Sequence, residues 1–518
     1  MLKKSSKIYF LLSLVAVALL LNSCKTKTSV VSLGDDTKKR EFRAAWIQCV
    51  NGQFQGMSTA EMQMNLLKQL NVLKSQGANA IIFQVRPECD ALYQSNIEPW
   101  SKFLTGKQGK APEPFWDPLQ WMITECHKRN MELHAWINPY RALTKSTKDL
   151  ASNHIAVLHP EYCFKYDGLT ILNPAYKECR DYTCKVVADI VGRYDVDGIH
   201  IDDYFYPYPA GGQPIPDSNN YNYYVQHCQG QPMSIGDWRR NNVNIFIQQL
   251  ASTIKNVKPW VKFGVSPFGI YRNKRNDPNG SETNGTQNYD DLYADCLLWD
   301  KKGWVDYTVP QLYWQIGHKA ADYKTLIGWW DKNFTNRPLY IGEDIERTVD
   351  NKDLSNPSQD QMAAKYQLHE KMKNVKGTVL WYSRRAVDNY GNYGNRLQQQ
   401  YWNDPVLQPK MPFIDGKGPN EVSALKFINS GADNVLFWTA PSGKNWKDKA
   451  VRYIIYRFKD GEKIDLNDQS KIVAYTTNTF YKLPAVPRGH KKQVLYYCVT
   501  ALDRMQNESK GVKIKVKY

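Results

Sequence analysis

Short runs of apolar, β-favouring residues alternate with segments of helical periodicity from residue 41 to residue 412. The strand-like runs occupy residues 42–50, 79–86, 131–138, 196–202, 261–267, 305–313, 338–342 and 377–382. Helical patterns between them occupy residues 60–76, 118–129, 176–193, 239–255, 289–299, 323–330 and 358–372. Eight strands separated by amphipathic segments predict a parallel sheet closed into a (β/α)8 TIM barrel over residues 41–412. A doubly wound open sheet is the alternative, but no glycine-rich phosphate loop follows the first strand.

The loops that follow the strands are long and polar, whereas the returns from helix to strand are short. Residues 87–117, 139–175 and 204–237 are the longest of these loops. In barrels of this type such loops build the active site at the C-terminal rim. Residues 169–174 predict a small additional strand near that rim.

After Pro412 the helical periodicity ends and short strands separated by turns take over. They occupy residues 422–429, 435–440, 452–458, 471–475, 494–502 and 512–516, which predicts a β-sandwich over residues 420–518. The strand around Trp438 (VLFWTAP) and the late segment YYCVTALDRMQNES resemble a fibronectin type III module. Such modules space or position a catalytic domain.

The N-terminus predicts export and lipidation. Three lysines precede an apolar stretch over residues 8–21, which is too short to span a bilayer and suits a signal peptide. The stretch ends in the sequence LNSC at Cys24, which resembles a bacterial lipobox, so residues 1–24 are interpreted as a lipoprotein signal. The alternative is an ordinary signal peptide with a chance cysteine. Residues 25–40 are polar and predict a disordered tether, and the protein is expected in the cell envelope, periplasmic or associated with the outer membrane.

Composition narrows the class of function. The net charge is +17, from 68 basic and 51 acidic residues, but the basic residues are scattered, which argues against a nucleic-acid binder and remains compatible with an anionic polymer. The ten cysteines form no CxxC pair, so we expect no metal site and no cofactor. The 33 Tyr, 16 Trp and 17 Phe residues provide rings on which the apolar faces of sugars can stack, although most of them are expected in the core.

The candidate chemistry lies at the ends of the predicted strands. The fourth strand reads DGIHIDDYFYP, in which alternation puts His200 and Asp202 on the face that points into the barrel. Two carboxyl groups that lie close together have pKa values that differ from each other. Glycosidic cleavage needs one ionised and one protonated carboxyl group. We therefore predict Asp202 as the nucleophile or ionised base, with Asp203 or Glu343 as the general acid. The alternative for Asp203 is a calcium ligand or a helix N-cap.

Other polar and aromatic residues near the predicted rim are expected to bind the substrate. For Arg86 the alternative role is a structural ion pair. The set consists of Arg86, Asp90, His134, Trp136, Asn138, Arg141, His200, Tyr204, Gln311, Tyr313, Trp314 and Trp381.

Six segments, in order, resemble the glycosyl-hydrolase-like family 10 over residues 40 to 410: EFRAAWIQ, FQVRPECDALY, HAWINPYR, DGIHIDDYFYP, FGVSPFGIYRN and VPQLYWQIG. The resemblance implies a TIM-barrel glycosidase acting on polysaccharide, and for part of the family on peptidoglycan glycan strands that lack stem peptides. The family's aspartate pair corresponds to Asp202 and Asp203, and its acidic residue after the second strand corresponds to Asp90. The run LYIGEDIE is less typical of the family, so the resemblance implies no role for Glu343.

Three functions remain open at this point. A glycoside hydrolase needs the carboxylates that the rim supplies. A non-catalytic glycan-binding lipoprotein would keep the aromatic residues without needing a carboxylate pair. A metal-dependent carbohydrate esterase or deacetylase would need a His/Asp ligand set, for which only His134 and His200 occupy inner strand positions.

Overall fold

The computed structural model describes residues 28–33, 39–429, 433–484 and 493–517, and these form two compact units. The first unit is Glu41–Asn403. The second joins the chain up to Arg40 with the chain from Asp404 onward. The predicted signal peptide and Cys24 lie outside the described residues.

The first unit is a closed barrel of eight parallel strands. Strand β1 (Thr28–Val31) belongs to the second unit, and the barrel strands, in order around the barrel, are β2 (Phe42–Ile47), β3 (Ala80–Arg86), β4 (Glu132–Ile137), β8 (Gly198–Ile201), β9 (Lys262–Val265), β10 (Tyr307–Thr308), β11 (Leu339–Asp344) and β12 (Val375–Trp381). Six of them lie within predicted runs, whereas β11 extends two residues beyond its run (338–342) and β12 begins two residues before its run (377–382). Because β12 pairs directly with β2, the sheet closes, and the predicted TIM barrel is confirmed over the open-sheet alternative.

Helices and short helical turns follow the barrel strands, and most match the predicted periodicity. They are Thr59–Ser75, Lys102–Thr105, Pro118–Lys128, Ile155–Leu158, Lys177–Arg193, Ser218–His227, Ile235–Val257, Cys296–Lys302, Tyr323–Asn333, Ile345–Asp350, Gln361–Lys371, Ser383–Val387 and Tyr393–Arg396. The helix predicted over residues 289–299 is wrong in its first half. Tyr293 has a positive φ of 57°, and the Asp295 side chain caps a helix that begins only at Cys296.

Large rings fill the inside of the barrel, and small residues on neighbouring strands make room for them. Phe42 and Tyr340 stack with centroids 4.3 Å apart. A Cβ atom at Gly198 would lie 2.6 Å from the ring of His134, and one at Gly264 would overlap the ring of Tyr307. Alternation of glycine and rings therefore packs the interior without a channel.

The loop after β4 carries a three-stranded antiparallel sheet, formed by β5 (Arg141–Leu143), β6 (Cys163–Tyr166) and β7 (Leu169–Leu172). Strand β7 is the additional strand predicted from residues 169–174. Pairing of Arg141 with Ile171 fixes the start of β5 at the C-terminal rim of the barrel.

The second unit is an all-β module with two antiparallel sheets. Its strands are β1, β13 (Ser423–Asn429), β14 (Asn434–Thr439), β15 (Arg452–Lys459), β16 (Ile472–Thr476), β17 (Phe480–Lys482), β18 (Val494–Leu502) and β19 (Gly511–Lys517). One sheet has the order β1-β19-β18-β15-β16 and the other β13-β14-β17. An all-β module after the barrel is as predicted, and its assignment to the fibronectin type III type stays a prediction.

The expectation of a disordered tether over residues 25–40 is wrong for two described stretches. Residues Thr28–Val31 form an edge strand in register with Gly511–Ile514, which the two β-branched valines favour. Lys39 is fully buried, where its ammonium group donates to Glu508 Oε2 at 2.7 Å, Leu466 O at 2.7 Å and Tyr456 Oη at 3.1 Å. Sequence polarity concealed both features because each depends on residues more than 400 positions away.

We expect Lys39→Met to lower the free energy of unfolding of the second unit by about 3–5 kcal/mol, because it leaves Glu508 buried without its cation. The matched control is Lys482→Met, since Lys482 is exposed and pairs with Asp433 at the surface. Thermal and urea unfolding of both variants would check this. An equal, small effect of the two substitutions would contradict the role given to Lys39.

Candidate functional site

A cleft of about 1210 Å³ opens at the C-terminal rim of the barrel. Its wall is built from the ends of β2, β3, β4 and β12 and from the loops that follow the first three of these strands. The lining includes Gln48, Gln84, Trp136, Asp202 and Trp381. The cleft therefore lies where the long polar loops predicted it, and it is long enough to hold more than one sugar ring.

Asp202 is the carboxylate that faces this cleft. Trp136 Nε1 donates to its Oδ2 at 3.0 Å, and Asn138 Nδ2 donates to its Oδ1 at 3.3 Å. Burial raises the pKa of Asp202 to about 7, against the lowering effect of the nearby Arg141 charge and together with the raising effect of Asp203. The structure thus brings together Asp202, Trp136 and Asn138, as predicted, around a carboxyl group that can both lose and hold a proton near neutral pH.

Asp203 follows Asp202 beyond the end of β8, where the chain bends. It is buried, it accepts a hydrogen bond from the Tyr208 hydroxyl, and the Gln311 side chain also bonds it. Burial raises the pKa of Asp203 despite these bonds. Gln311 Nε2 also donates to Ser266 O at 3.0 Å, which anchors this predicted residue on the next strands.

Arg141 and Tyr204 form the side of the cleft next to Asp202. The Arg141 guanidinium lies 4.8 Å from the centre of the Tyr204 ring, and its Nε donates to Pro87 O at 3.1 Å. The backbone of Arg141 is held by Asn138 Oδ1 at 2.8 Å, so Asn138 orders both the carboxylate and the cation beside it. Both rim residues were predicted.

Aromatic side chains cluster at the rim, where Trp136 and Trp381 line the cleft. Tyr313 stacks on Trp381 with centroids 6.2 Å apart and an interplanar angle of 20°. Trp381 also packs edge-on against Trp136 at 6.3 Å, while Trp314 packs edge-on against Phe268 at 5.4 Å. These predicted residues give the ring surfaces on which a sugar can stack.

The two predicted histidines lie below the cleft in a hydrogen-bond chain that we call the interior chain. It runs from Trp46 Nε1 to His200 Nε2 at 3.3 Å, from His200 Nδ1 to Tyr307 Oη at 3.1 Å, and from Tyr307 Oη to His134 Nδ1 at 2.7 Å. It continues from His134 Nε2 to Glu132 Oε2 at 3.0 Å. Since the indole can only donate, His200 Nε2 accepts and His200 Nδ1 donates to the Tyr307 hydroxyl oxygen.

The interior chain corrects the predicted binding roles of His134 and His200. Both rings are fully buried, and both nitrogens of each ring are bonded within the barrel. Burial and the neighbouring His134 hold the pKa of His200 well below its usual value, so the ring is neutral. Alternation correctly placed these residues inside the barrel, but they lie deeper than the rim.

Arg86 and Asp90 are also placed away from the cleft, which corrects their predicted binding roles. Arg86 is fully buried and forms a forked ion pair with Glu98, with Nη2 to Oε1 at 2.6 Å, which is the structural alternative considered for it. Asp90 is fully buried, where it accepts from Gln108 Nε2 at 3.1 Å and from the Glu88 amide at 3.2 Å. Burial raises its pKa to about 7, but its carboxyl is sealed beneath the loop after β3.

The prediction of Glu343 as general acid is not supported by its position. It lies on the outer face of β11, where its Oε1 accepts from Lys365 Nζ at 2.7 Å and from the Thr348 hydroxyl. The next residue, Asp344, is on the inner face and pairs in register with Trp381. Burial raises the pKa of Asp344 to about 6. Asp344 is thus a rim carboxylate to which the sequence analysis assigned no catalytic role.

Tyr313 lies among the rim carboxylates. Burial, followed by the charges of Asp344, Asp203 and Asp202, raises the pKa of its hydroxyl well above the usual value. Charges act in this way on a buried hydroxyl only over short distances, so Asp344, Asp203 and Asp202 lie near Tyr313.

Other site types find less support among the described residues. In that part of the chain no group of three or more His, Cys, Asp or Glu side chains is arranged to hold a metal ion. The nine cysteines described by the structure are all free thiols. None of the described helices combines the length and apolarity needed to cross a membrane.

Comparison with known proteins relates the chain to a family of glycosyl hydrolase-like proteins. The family model for glycosyl hydrolase-like 10 matches residues 41–360. Glycosyl hydrolase YngK of Bacillus subtilis (strain 168) is 38% identical over 495 residues, which cover 94% of this chain and 95% of the relative. Glycosyl hydrolase DigH of Escherichia coli (strain K12) is 34% identical over 442 residues, covering 78% and 95%. The glycoside hydrolase domain of PgaB (BpsB) from Bordetella bronchiseptica superposes with a TM-score of 0.46 at 9% identity, over 69% of this chain and 98% of that one.

We expect Glu343→Gln to lower the free energy of unfolding by about 3–5 kcal/mol, because Lys365 would be left buried without its counter-charge. Glu346→Gln is the matched control, since Glu346 pairs with Arg385 in a partly exposed position worth about 0–1 kcal/mol. Urea unfolding measures both. A Glu343→Gln protein as stable as the control would argue against a structural role for the pair.

Proposed function

The chain belongs to the glycosyl hydrolase-like 10 family, and from this we propose that it hydrolyses glycosidic bonds of a cell-envelope polysaccharide. The observation that carries the proposal is Asp202, a buried carboxyl with a pKa of about 7 that faces a large aromatic-walled cleft at the rim of the barrel. A carboxyl of this kind can exchange a proton with a substrate at neutral pH.

Asp344 is proposed as the second working carboxyl. Glycosidases use two carboxyl groups that flank the scissile bond, and Asp203 is already bonded by the Tyr208 hydroxyl and the Gln311 side chain. Asp202 and Asp344 come from strands that do not neighbour each other, β8 and β11, and both act on Tyr313. Asp203 accepts a hydrogen bond from the Tyr208 hydroxyl. Its proposed role is indirect, because its charge raises the pKa of Asp202.

The pKa values of Asp202 and Asp344 favour different roles for the two carboxyl groups. Asp202, at about 7, is the proton donor to the leaving oxygen. Asp344, at about 6, is ionised near neutral pH and is held by the Arg347 amide at 2.9 Å, which suits a nucleophile or base. This reverses the role that the sequence analysis gave to Asp202.

As substrate we propose peptidoglycan glycan strands without stem peptides. Such strands carry carboxylates, and the cleft lining includes Lys102, Arg141 and Lys145. The overall charge of +17 further favours the approach of an acidic polymer. Turnover of denuded peptidoglycan measured beside neutral α- and β-glucans tests the choice, and binding of glycan without turnover would favour the glycan-binding alternative.

We also propose that Cys24 is acylated, which would hold the protein at the bacterial envelope membrane. The support is the apolar stretch that ends in LNSC. Only residues 25–27 separate Cys24 from β1, so the chain between the anchor and the β-module would extend at most about 14 Å. The module, rather than a long tether, would then lie next to the acyl chains.

The assignment of roles predicts a bell-shaped pH profile for kcat/KM. The rate should fall below a pH of about 6, where Asp344 takes up a proton, and above about 7, where Asp202 loses one. Asp202→Asn should lower the rate on natural glycan by about three orders of magnitude, equivalent to about 4 kcal/mol in the barrier, and abolish the fall above pH 7. Kinetics from pH 4 to pH 9 would measure this.

Substrates with an activated aryl leaving group separate the two roles. They need little protonation, so Asp202→Asn should retain most of its rate on them, whereas Asp344→Asn should lose activity on both kinds of substrate. Asp149→Asn is the control, because Asp149 is an exposed aspartate. A folded Asp202→Asn protein with near-normal turnover on natural glycan would remove Asp202 from the mechanism.

For anchoring, Cys24→Ala should move the protein from the membrane fraction to the soluble fraction and abolish incorporation of a labelled fatty acid. Cys228→Ala, which changes a partly exposed thiol of the barrel unit, should leave both unchanged. Labelling that persists in the Cys24→Ala protein would rule out this cysteine as the acylation site.

A further inference from the structure

Two buried carboxamides stand side by side on the wall of the cleft. Gln48 and Gln84 lie one residue beyond the registered pair Ile47–Phe83, at the ends of neighbouring strands β2 and β3. Both line the cleft, yet they are only 6% and 1% exposed. Their carboxamides therefore lie in the wall of the cleft with little of either side chain exposed.

The orientation of Gln84 is fixed by its neighbour. Its Oε1 accepts from the backbone amide of Cys49 at 3.0 Å and from the Cys49 thiol at 3.3 Å. An amide N–H can bond only to the oxygen end of the carboxamide, so Nε2 is the end left over. Within the described chain, Gln84 Nε2 has no hydrogen-bond partner and is buried.

Gln48 supplies the complementary atom. Its Oε1 is likewise buried with no partner in the part of the chain that the structure describes. An acceptor and a donor on adjacent strands would satisfy each other if they were in reach, so a gap separates them. Buried polar atoms are nearly always bonded, and a complementary pair left open in a substrate cleft indicates a ligand group that bonds both.

We propose that Gln48 and Gln84 form a subsite for the acetamido group of an N-acetylated sugar, an inference that rests on the proposed glycosidase function. The acetamido carbonyl accepts from Gln84 Nε2, and its N–H donates to Gln48 Oε1. The partly apolar neighbours Cys49 and Val50 also line the cleft and receive the methyl group. A sugar hydroxyl fits less well, because it has a single oxygen to reach two atoms that lie apart.

The subsite is next to the proposed proton donor. Gln84 is in register with Trp136, whose indole donates to Asp202. A ring whose acetamido group bonds both glutamines can therefore lie over Trp136 with its glycosidic bond toward Asp202. The two glutamines then act as specificity-determining residues, not as catalytic ones.

The test compares N-acetylglucosamine oligomers with the same oligomers after de-N-acetylation. Gln84→Glu keeps the acceptor for Cys49 and replaces the free donor with an oxygen that repels the acetamido carbonyl. Gln48→Met keeps the length of the side chain and removes the acceptor. For each variant the ratio of kcat/KM on acetylated to de-acetylated oligomer should fall about 10-fold or more relative to wild type. Gln120→Met, at an exposed helix position, should keep the wild-type ratio.

Two outcomes overturn the subsite. The first is a wild-type protein that cleaves glycans without preferring acetylated ones. The second is a set of variants whose rates fall equally on both oligomers. In either case the proposed function itself would stand.

Calorimetric binding of both oligomers to Asp202→Asn protein covers the case in which the wild-type protein cleaves no oligomer. If Asp202→Asn protein binds the acetylated oligomer more tightly than the de-acetylated one, and the double variant Asp202→Asn/Gln84→Glu loses this preference, the subsite is supported. This holds even if the hydrolase proposal has failed. Equal binding of the two oligomers would overturn the subsite.

Discussion

The interior chain of the barrel is the constraint on which the floor of the cleft depends. It starts at the ion pair in which Lys262 Nζ donates to both oxygens of Glu132, at 2.5 and 2.6 Å. Burial raises the pKa of Glu132, but the Lys262 charge and the bond from His134 lower it further than burial raises it. From this fixed anion each later group has one available orientation, ending at Trp46. Trp46 packs edge-on against Trp381 and Tyr313, so the chain also sets the aromatic wall of the site.

Buried carboxylates in this protein fall into two groups, which the presence of a cation separates. Glu98, Glu132 and Glu343 each pair with Arg86, Lys262 and Lys365, respectively, and these pairs hold loops and strands in place. Among the described residues Asp90, Asp202 and Asp344 lack a buried cation of this kind, since the cation 3.7 Å from Asp344 is the half-exposed Arg347, and burial raises the three pKa values. Access then distinguishes the members of the second group, because Asp202 faces the cleft while Asp90 is sealed. Charge pairing and access together identify a working carboxyl better than either property alone.

Much of this arrangement was predictable from the sequence, because strand alternation carries real geometric information. Periodicity located all eight barrel strands, and alternation in GIHID put Asp202 inward. The same rule applied to LYIGED would have put Glu343 with Leu339 and Ile341 on the outer face and selected Asp344. Glu343 was therefore predicted on the wrong face of its strand.

Other features could not be predicted, because their partners are remote in sequence or their depth is set by packing. The pairing of Arg86 with Glu98 depends on how a 12-residue loop folds back. The depth of His134 and His200 depends on rings from two other strands, β2 and β10, and the open atoms of Gln48 and Gln84 are visible only once every neighbouring bond is known. A single sequence describes which face a residue occupies, but it does not give the height of that residue along the barrel axis.

The pairing of β1 with β19 means that the second unit is assembled from the two ends of the described chain, with the whole barrel inserted between them. As the polypeptide emerges in order from its N-terminus, residues 28–31 and Lys39 must wait for nearly five hundred further residues before their partners exist. The barrel, whose strands pair with near neighbours in sequence, can fold during that interval. The β1–β19 pair can therefore form only after the barrel strands have been synthesised, and a chain truncated before β19 would leave β1 without that partner. An unpaired strand of this kind is a site for aggregation, so the integrity of the second unit depends on synthesis of Gly511–Lys517.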